Sequence, residues 1–264
     1  MQQTILKWYK KLNFPKQYDK AFIDLLNSRL DFEWTDIDAY DDKSHTPQEN
    51  LLAYLYFCER LEKQYNDYGI EDAILLDTLS DLVIWTNVWF SMKKELGLGE
   101  TQWLKRHLSF RLFRLGRLQF CFGQFEKEYP EISVKQGENV VEVHIPADGK
   151  LFPEECIRSF ANATRFFGKY FPSYEYRFYS CHSWLLDENL QSVLGERANV
   201  CRFGARFQKI DKDVSDAILQ YVFGWGATRK NLFEYSADTV LAKFLKKEVE
   251  SGTLFYRVFG VVSK

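Results

Sequence analysis

Apolar residues recur at three-to-four spacing through most of the first hundred positions, the period of helices with one buried face. The segment TPQENLLAYLYFCERLEKQY puts Leu51, Leu52, Leu55, Cys58 and Leu61 on one such face. Its start is marked by Thr46 as N-cap, Pro47 at the first helical position and Glu49 closing a capping box. EDAILLDTLSDLVIWTNVWFSMKKELGLG repeats the pattern with Ile74, Leu75, Leu79, Leu82 and Trp85, and a stop is expected in the Gly97–Gly99 region. Ile5, Trp8, Tyr9 and Leu12 predict a shorter helix, and residues 16–30 another. Between these and Thr46, residues 31–42 read DFEWTDIDAYDD, with six carboxylates in twelve residues, the pattern of a solvated connecting loop.

After about residue 108 the period changes. SFRLFRLGRLQFCFGQF alternates, with Phe110, Leu112, Leu118, Phe120 and Phe122 on one face and Arg111, Arg117 and Gln119 on the other. Period two predicts one long strand, and QGENVVEVHIP a second strand ending at Pro146 that makes a hairpin with it. On that single strand Arg114 and Arg117 fall on opposite faces and cannot form one clamp. A helix starting at Pro153 follows, with Ile157, Phe160, Thr164 and Phe167 inward. YEYRFYSCHSWLL reads as a strand, DENLQSVLG as a short helix capped by Asp187 and NVCRFGARFQ as a strand. Ser236 to Gly252 reads as a helix and TLFYRVFGVV as the last strand. Helices first and mixed elements afterwards imply two domains, residues 1–100 and 101–264.

Composition narrows the function classes. Net charge is −2, which supplies no general drive toward nucleic acid or an anionic membrane. Cys58, Cys121, Cys156, Cys181 and Cys201 are odd in number and form no CxxC pair, as expected of reduced thiols in a cytoplasmic protein without structural zinc. The N-terminus lacks the apolar core of a signal peptide, and no apolar run approaches the ~18 residues that span a bilayer. HIPADGK has no histidine at i+2 or i+4, so no metal site is expected.

CHSWLL, Cys181–Leu186, gathers a thiol, an imidazole, a hydroxyl and an indole. On a strand Cys181 and Ser183 share one face and His182 and Trp184 the other, so neighbours do not form a nucleophile–base pair. No Gly-x-Ser-x-Gly elbow surrounds Ser183, and neither a phosphate-binding P-loop nor a dinucleotide fingerprint is present.

Several segments together resemble a family of bacterial acyltransferase-like proteins that join a helical N-terminal domain to a C-terminal domain similar to the GNAT superfamily of N-acetyltransferases. The resemblance is carried by FRLGRLQF at Phe113–Phe120, HIPADGKL at His144–Leu151, the helix with Ser159 and the Phe166–Phe167 pair, CHSWLL, and NVCRF at Asn199–Phe203. The closing helix and strand over residues 236–262 complete it. The resemblance implies an α+β chain: an all-helical domain, then a GNAT-like mixed α/β domain with a central, mostly antiparallel sheet.

It also implies acyl transfer from acetyl-CoA or another acyl-CoA to a small-molecule acceptor, an amine. The pantetheine arm would lie along the strand Val140–Pro146, against Val143 and Ile145. The pyrophosphate would meet the loop Ala147, Asp148, Gly149, Lys150, Leu151 and Phe152 and the start of the next helix, whose amides suit an anion. Glu142 or His144 would take the amine proton, and Tyr179 or Ser183 would protonate the leaving thiolate. Arg117, Trp184 and Asn199 are the expected substrate-binding residues. The superfamily's Gln/Arg-x-x-Gly-x-Gly/Ala signature is replaced here by PADGKLF, with one glycine. A second reading is therefore a catalytically inactive GNAT-like module that binds a small ligand or a protein partner.

Overall fold

The computed structural model describes residues 1–28 and 36–264. Residues 29–30 of the second expected helix and 31–35 of the acidic run lie outside the described residues. The chain divides into two compact units: Met1–Cys121 with Pro146–Asp148, and Phe122–Ile145 with Gly149–Lys264.

The first unit holds helices α1 (Gln2–Lys11), α2 (Asp19–Asn27), α3 (Pro47–Tyr68), α4 (Asp72–Lys93) and α5 (Thr101–Leu108), then the short strand β1 (Leu112–Arg114). The capping box at α3 forms as expected: Glu49 N donates to Thr46 Oγ1 at 3.2 Å and Thr46 N to Glu49 Oε2 at 2.6 Å. Leu51, Leu52, Leu55, Cys58 and Leu61 are all buried. Helix α4 stops at Lys93, short of the glycines, because Lys94 takes a left-handed φ of 59°. Gly97 serves packing instead, since a Cβ there would lie 2.8 Å from Trp89 Nε1 and 2.9 Å from Pro47 Cβ. Contrary to the sequence expectation, α4 is long and apolar enough, by length and composition, to cross a membrane. Its buried Thr78 and Asp81 instead accept hydrogen bonds inside the unit, from Arg114 N at 2.9 Å and Trp103 Nε1 at 3.0 Å. The acidic run is not wholly a solvated loop either. Asp42 is buried and accepts from Thr101 Oγ1 and, at 2.6 Å, from Gln102 Nε2, so it holds two side chains of the first turn of α5.

The single long strand expected over residues 109–125 is two. After β1 the chain reverses at Gly116, with φ 93°, where Leu115 N donates to Leu118 O at 3.0 Å. Strand β2 (Gln119–Gln124) then returns antiparallel, pairing Leu112 with Cys121 and Arg114 with Gln119. Leu112 and Leu118 keep the same parity across the turn, so the alternation conceals it. The reversal also corrects the expectation for the two arginines. Arg114 donates to Asp148 through two nitrogens, at 2.7 and 3.1 Å, and Arg117 NH1 lies 3.9 Å from the same carboxylate.

The second unit continues through β3 (Asn139–His144), α6 (Pro153–Tyr170), β4 (Phe178–Ser183), α7 (Asn189–Leu194), α8 (Asn199–Gly204), β5 (Gln208–Val214), α9 (Ala217–Phe223), α10 (Val240–Glu250) and β6 (Tyr256–Ser263). Strand order through the sheet is β1-β2-β3-β4-β6-β5. The β2–β3 hairpin closes through Phe125 N to Glu138 O and Gly137 N to Phe125 O, both 2.9 Å. Strands β3 and β4 run parallel, joined by α6 as the crossover helix, and β4–β6 and β6–β5 are antiparallel.

Three local expectations change. NVCRF is helical in α8, and the strand begins only at Gln208. Helix α10 starts at Val240, with Thr239 rather than Ser236 as its cap. On α6 the buried face is Cys156, Ser159, Phe160, Ala163, Phe166 and Phe167, while Ile157 is 50% exposed and Thr164 is exposed at the edge of that face, its hydroxyl alone reaching inward.

Candidate active site

The site is built around an incomplete strand pairing. Parallel β3 and β4 pair at Val141 with Tyr179 and at Glu142 with Ser180, yet the strands run on to His144 and Ser183. On its other edge β4 stays paired with β6 as far as Ser183 with Val258. The two strands therefore part beyond Glu142. Where neighbouring strands splay, strand backbone can offer N–H and C=O groups to an extended ligand arm with amide groups.

Register also sorts the side chains. Paired residues of neighbouring strands share a face, so Val140, Glu142 and His144 lie with Phe178, Ser180 and His182. The lower part of that face is apolar, where Val140 and Val261 pack with Phe125, Tyr129, Phe178 and Phe259. Its upper part carries Glu142 and His144, whose Oε2 and Nε2 are 3.3 Å apart. Gly123 on β2 clears the room for this pair, because a Cβ there would lie 2.6 Å from Glu142 Oε1. Next to it, Tyr174 Oη accepts from Gly123 N at 3.1 Å and lies 2.6 Å from Gly123 O and 2.9 Å from Val140 O. His182 extends the other way along the face, with Nε2 2.5 Å from Asp213 Oδ1, while Arg257 NH2 donates to Asp213 Oδ2 at 2.9 Å. Partial burial raises the Asp213 pKa, but the bonds from Arg257 and His182 outweigh it and hold the carboxyl below its ordinary range.

The opposite face is covered by α6. Val141 and Val143 are buried there with Tyr179 and Cys181. Tyr179 Oη is 2.8 Å from both Thr164 Oγ1 and Tyr176 Oη, and burial holds its pKa above the ordinary value. The Cys181 thiol is buried and pushed up to about 12, so it is not the thiolate that nucleophilic catalysis needs. Ser183 Oγ accepts from Leu185 N at 3.2 Å and caps the turn Trp184–Leu186. The four expected proton-handling residues thus divide: Glu142 and His144 stand together, and Tyr179 and Ser183 belong by parity to the other face.

The remaining expected residues are dispersed. Ile145 is half-buried at the end of β3. Of the following loop, Ala147 and Asp148 cluster with the first unit and Gly149, Lys150, Leu151 and Phe152 with the second. Leu151 is buried, Phe152 is exposed as the N-cap of α6, and Gly149 and Lys150 face solvent. Arg117 is buried, and its NH2 donates to Pro146 O at 2.9 Å. Trp184 is half-buried against the cluster around Leu190, Leu219 and Leu245, with its ring 5.9 Å from Tyr221. Asn199 is the first residue of α8. Gly123, Tyr174 and the His182–Asp213–Arg257 group are absent from the sequence expectations. A glycine inside the apolar alternation of FCFGQF is the one local signal that points to them.

A parallel β3–α6–β4 crossover whose strands part at their C-terminal ends, set in an otherwise antiparallel sheet, defines the acyl-transferring GNAT class of fold. The chain belongs to the family described as the GNAT-like C-terminal domain, whose model matches residues 112–262. The N-acyltransferase N-terminal domain matches residues 3–110. Among solved structures, an acyltransferase in complex with decanoyl-CoA and teicoplanin is 20% identical with a TM-score of 0.76, over 97% of this chain and 86% of that one. An acyltransferase mutant in complex with octanoyl-CoA is 19% identical with a TM-score of 0.78, over 99% and 88%. At these identities the likeness is one of fold. No curated protein matches the chain.

Proposed function

We propose that the protein is an acyl-CoA-dependent N-acyltransferase that moves an acyl group from a coenzyme A thioester to a small-molecule amine. The observation that carries this reading is the parting of β3 and β4 beyond the Glu142–Ser180 pair in a chain of the GNAT-like family. The pantetheine amides would pair with the β3 backbone at Val143 and Ile145. Similar folds hold decanoyl-CoA and octanoyl-CoA, which makes medium-chain acyl-CoA the first donor to try. One similar solved structure holds decanoyl-CoA together with teicoplanin, and the acceptor here is taken to be an amine-bearing small molecule.

In the step itself the acceptor nitrogen attacks the thioester carbonyl, the C–N bond forms, and the C–S bond then breaks. His144, oriented by Glu142, receives the proton that the amine loses. The departing thiolate takes a proton to leave as free coenzyme A. Ser183, next to the opening, is better placed for that donation than Tyr179, whose hydroxyl is enclosed under α6.

The single glycine of PADGKLF favours the alternative, a GNAT-like module that has lost its donor. Thermal denaturation with and without decanoyl-CoA and free coenzyme A separates the two. Ligand at ~100 times its dissociation constant adds about 2.7 kcal/mol of stability. An upward shift supports the enzyme, and no shift with any coenzyme A species sinks it in favour of the module.

A further inference from the structure

A GNAT-like site must hold the phosphates of its donor, and the segment where that is usually done is poorly suited here. The first turn of α6 carries Glu154 and Glu155, which already complement the positive end of the helix and oppose a second anion. A cation elsewhere on the α6 side of the sheet is needed.

Arg206, between α8 and β5, meets the description. Its guanidinium carbon lies 5.3 Å from the centre of the Phe160 ring on α6. Phe160 is itself wedged against Tyr179 of β4, ring centres 5.2 Å apart, and faces Phe207 at 6.3 Å. The Arg206 Nε atom is buried, and among the described residues it has no hydrogen-bond partner. The guanidinium forms no ion pair among them either, and carboxylates of the neighbouring segments are engaged elsewhere: Glu188 with Lys209 at 2.8 Å, Glu196 with Gln191 at 2.9 Å. Arg202 follows the same side of the chain one turn earlier, in the last turn of α8, and is exposed.

A buried guanidinium donor without an acceptor is destabilising, and an incoming acceptor removes that cost. Contact with an aromatic ring restrains the side chain, and a guanidinium so held can read a phosphate through two parallel N–H···O bonds. We infer that Arg206, held over Phe160, is the phosphate anchor of the donor and takes the place of the missing glycine loop. The inference rests on the acyl-CoA reading above. Either the 3′-phosphate or the pyrophosphate supplies the same chemistry.

Isothermal titration of the full chain with coenzyme A, dephospho-coenzyme A and pantetheine tests it, using wild type, Arg206→Gln and Arg206→Met. Loss of a charge-assisted bond predicts a dissociation constant for coenzyme A about tenfold or more weaker in both variants, with pantetheine binding unchanged. If the variants then bind dephospho-coenzyme A as wild type does, the 3′-phosphate is the group held, and if they remain weak it is the pyrophosphate. Equal coenzyme A binding by wild type and variants overturns the anchor while leaving the acyl-CoA reading intact. So does an equal loss for pantetheine, which would mark a general disturbance of the site. Wild type that binds no coenzyme A overturns the acyl-CoA reading itself. The glutamine variant keeps a polar head on a long stem, and unliganded melting curves identify any variant that fails to fold.

Discussion

Two regions of the molecule each hold a histidine against a carboxylate, and the pairs are built for different ends. In the helical unit His107 Nε2 is 3.0 Å from Asp81 Oδ2, with the side chains 0% and 3% exposed. Trp103 Nε1 donates to the same Asp81 oxygen at 3.0 Å, and Gln119 Nε2 is 3.3 Å from the imidazole. In the β unit His144 and Glu142 are 3.3 Å apart and 29% and 31% exposed. There the room beside the carboxylate comes from a residue with no side chain, Gly123. The chemistry of the two pairs is the same, and what differs is what surrounds them. Enclosure by fixed partners makes the first a structural element, and the partial exposure of the second is what the proposed role as proton acceptor requires.

The largest expected effect breaks the open pair. His144→Gln should lower acyl transfer by about 10²- to 10⁴-fold, the usual worth of a general base, and leave the melting temperature of the unliganded protein nearly unchanged. Asp81→Ala should do the reverse. It leaves His107 buried without its carboxylate and should cost about 3–5 kcal/mol in urea denaturation. A variant of either residue that shifted both activity and stability strongly would erase the distinction.

Acid should sharpen it. Burial raises the Asp81 pKa, but the hydrogen bonds from His107, Gln119 and Trp103 outweigh it, so the folded carboxyl titrates below its ordinary value. A depressed carboxyl contributes stability that is present above its unfolded pKa of about 3.9 and is lost as pH falls through the folded value. Wild type should therefore lose stability more steeply below about pH 4 than Asp81→Asn does, which a pH series of melting curves reads directly.

The smallest effect is expected from Gly123→Ala. The new methyl would lie 2.6–2.9 Å from Oε1, Cγ and Cδ of Glu142, a partly exposed side chain that can turn aside, so stability should fall by less than about 1 kcal/mol. The displaced carboxylate should still lower kcat by about tenfold, because His144 loses its orientation. Unchanged kcat would mean that Glu142 does not position His144.

Much of the architecture was legible because it rests on local periodicity and caps. The Thr46–Glu49 box, the apolar face of α3, the crossover helix from Pro153 and the last strand follow from neighbours in sequence. The reversals at Gly116 and in NVCRF were not, since alternation survives a turn of matching parity and a six-residue helix carries under two turns of pattern. The candidate site divides in the same way. Glu142 and His144 share a face by simple alternation along one strand. Separating them from Tyr179 and Ser183 required the register between β3 and β4, which belongs to the sheet rather than to either strand. Arg206 was invisible for a related reason: its significance lies in the ring it lies over and in the carboxylates that it does not meet.

The most direct test follows release of free thiol from decanoyl-CoA on addition of amines, glucosamine and hexylamine first, by wild type, His144→Gln and Asp81→Asn at a temperature where all three are folded. Amine-dependent release by wild type, kept by Asp81→Asn and lost about a hundredfold or more by His144→Gln, is the predicted result. Release at the wild-type rate by His144→Gln would contradict the assignment of the open pair to catalysis.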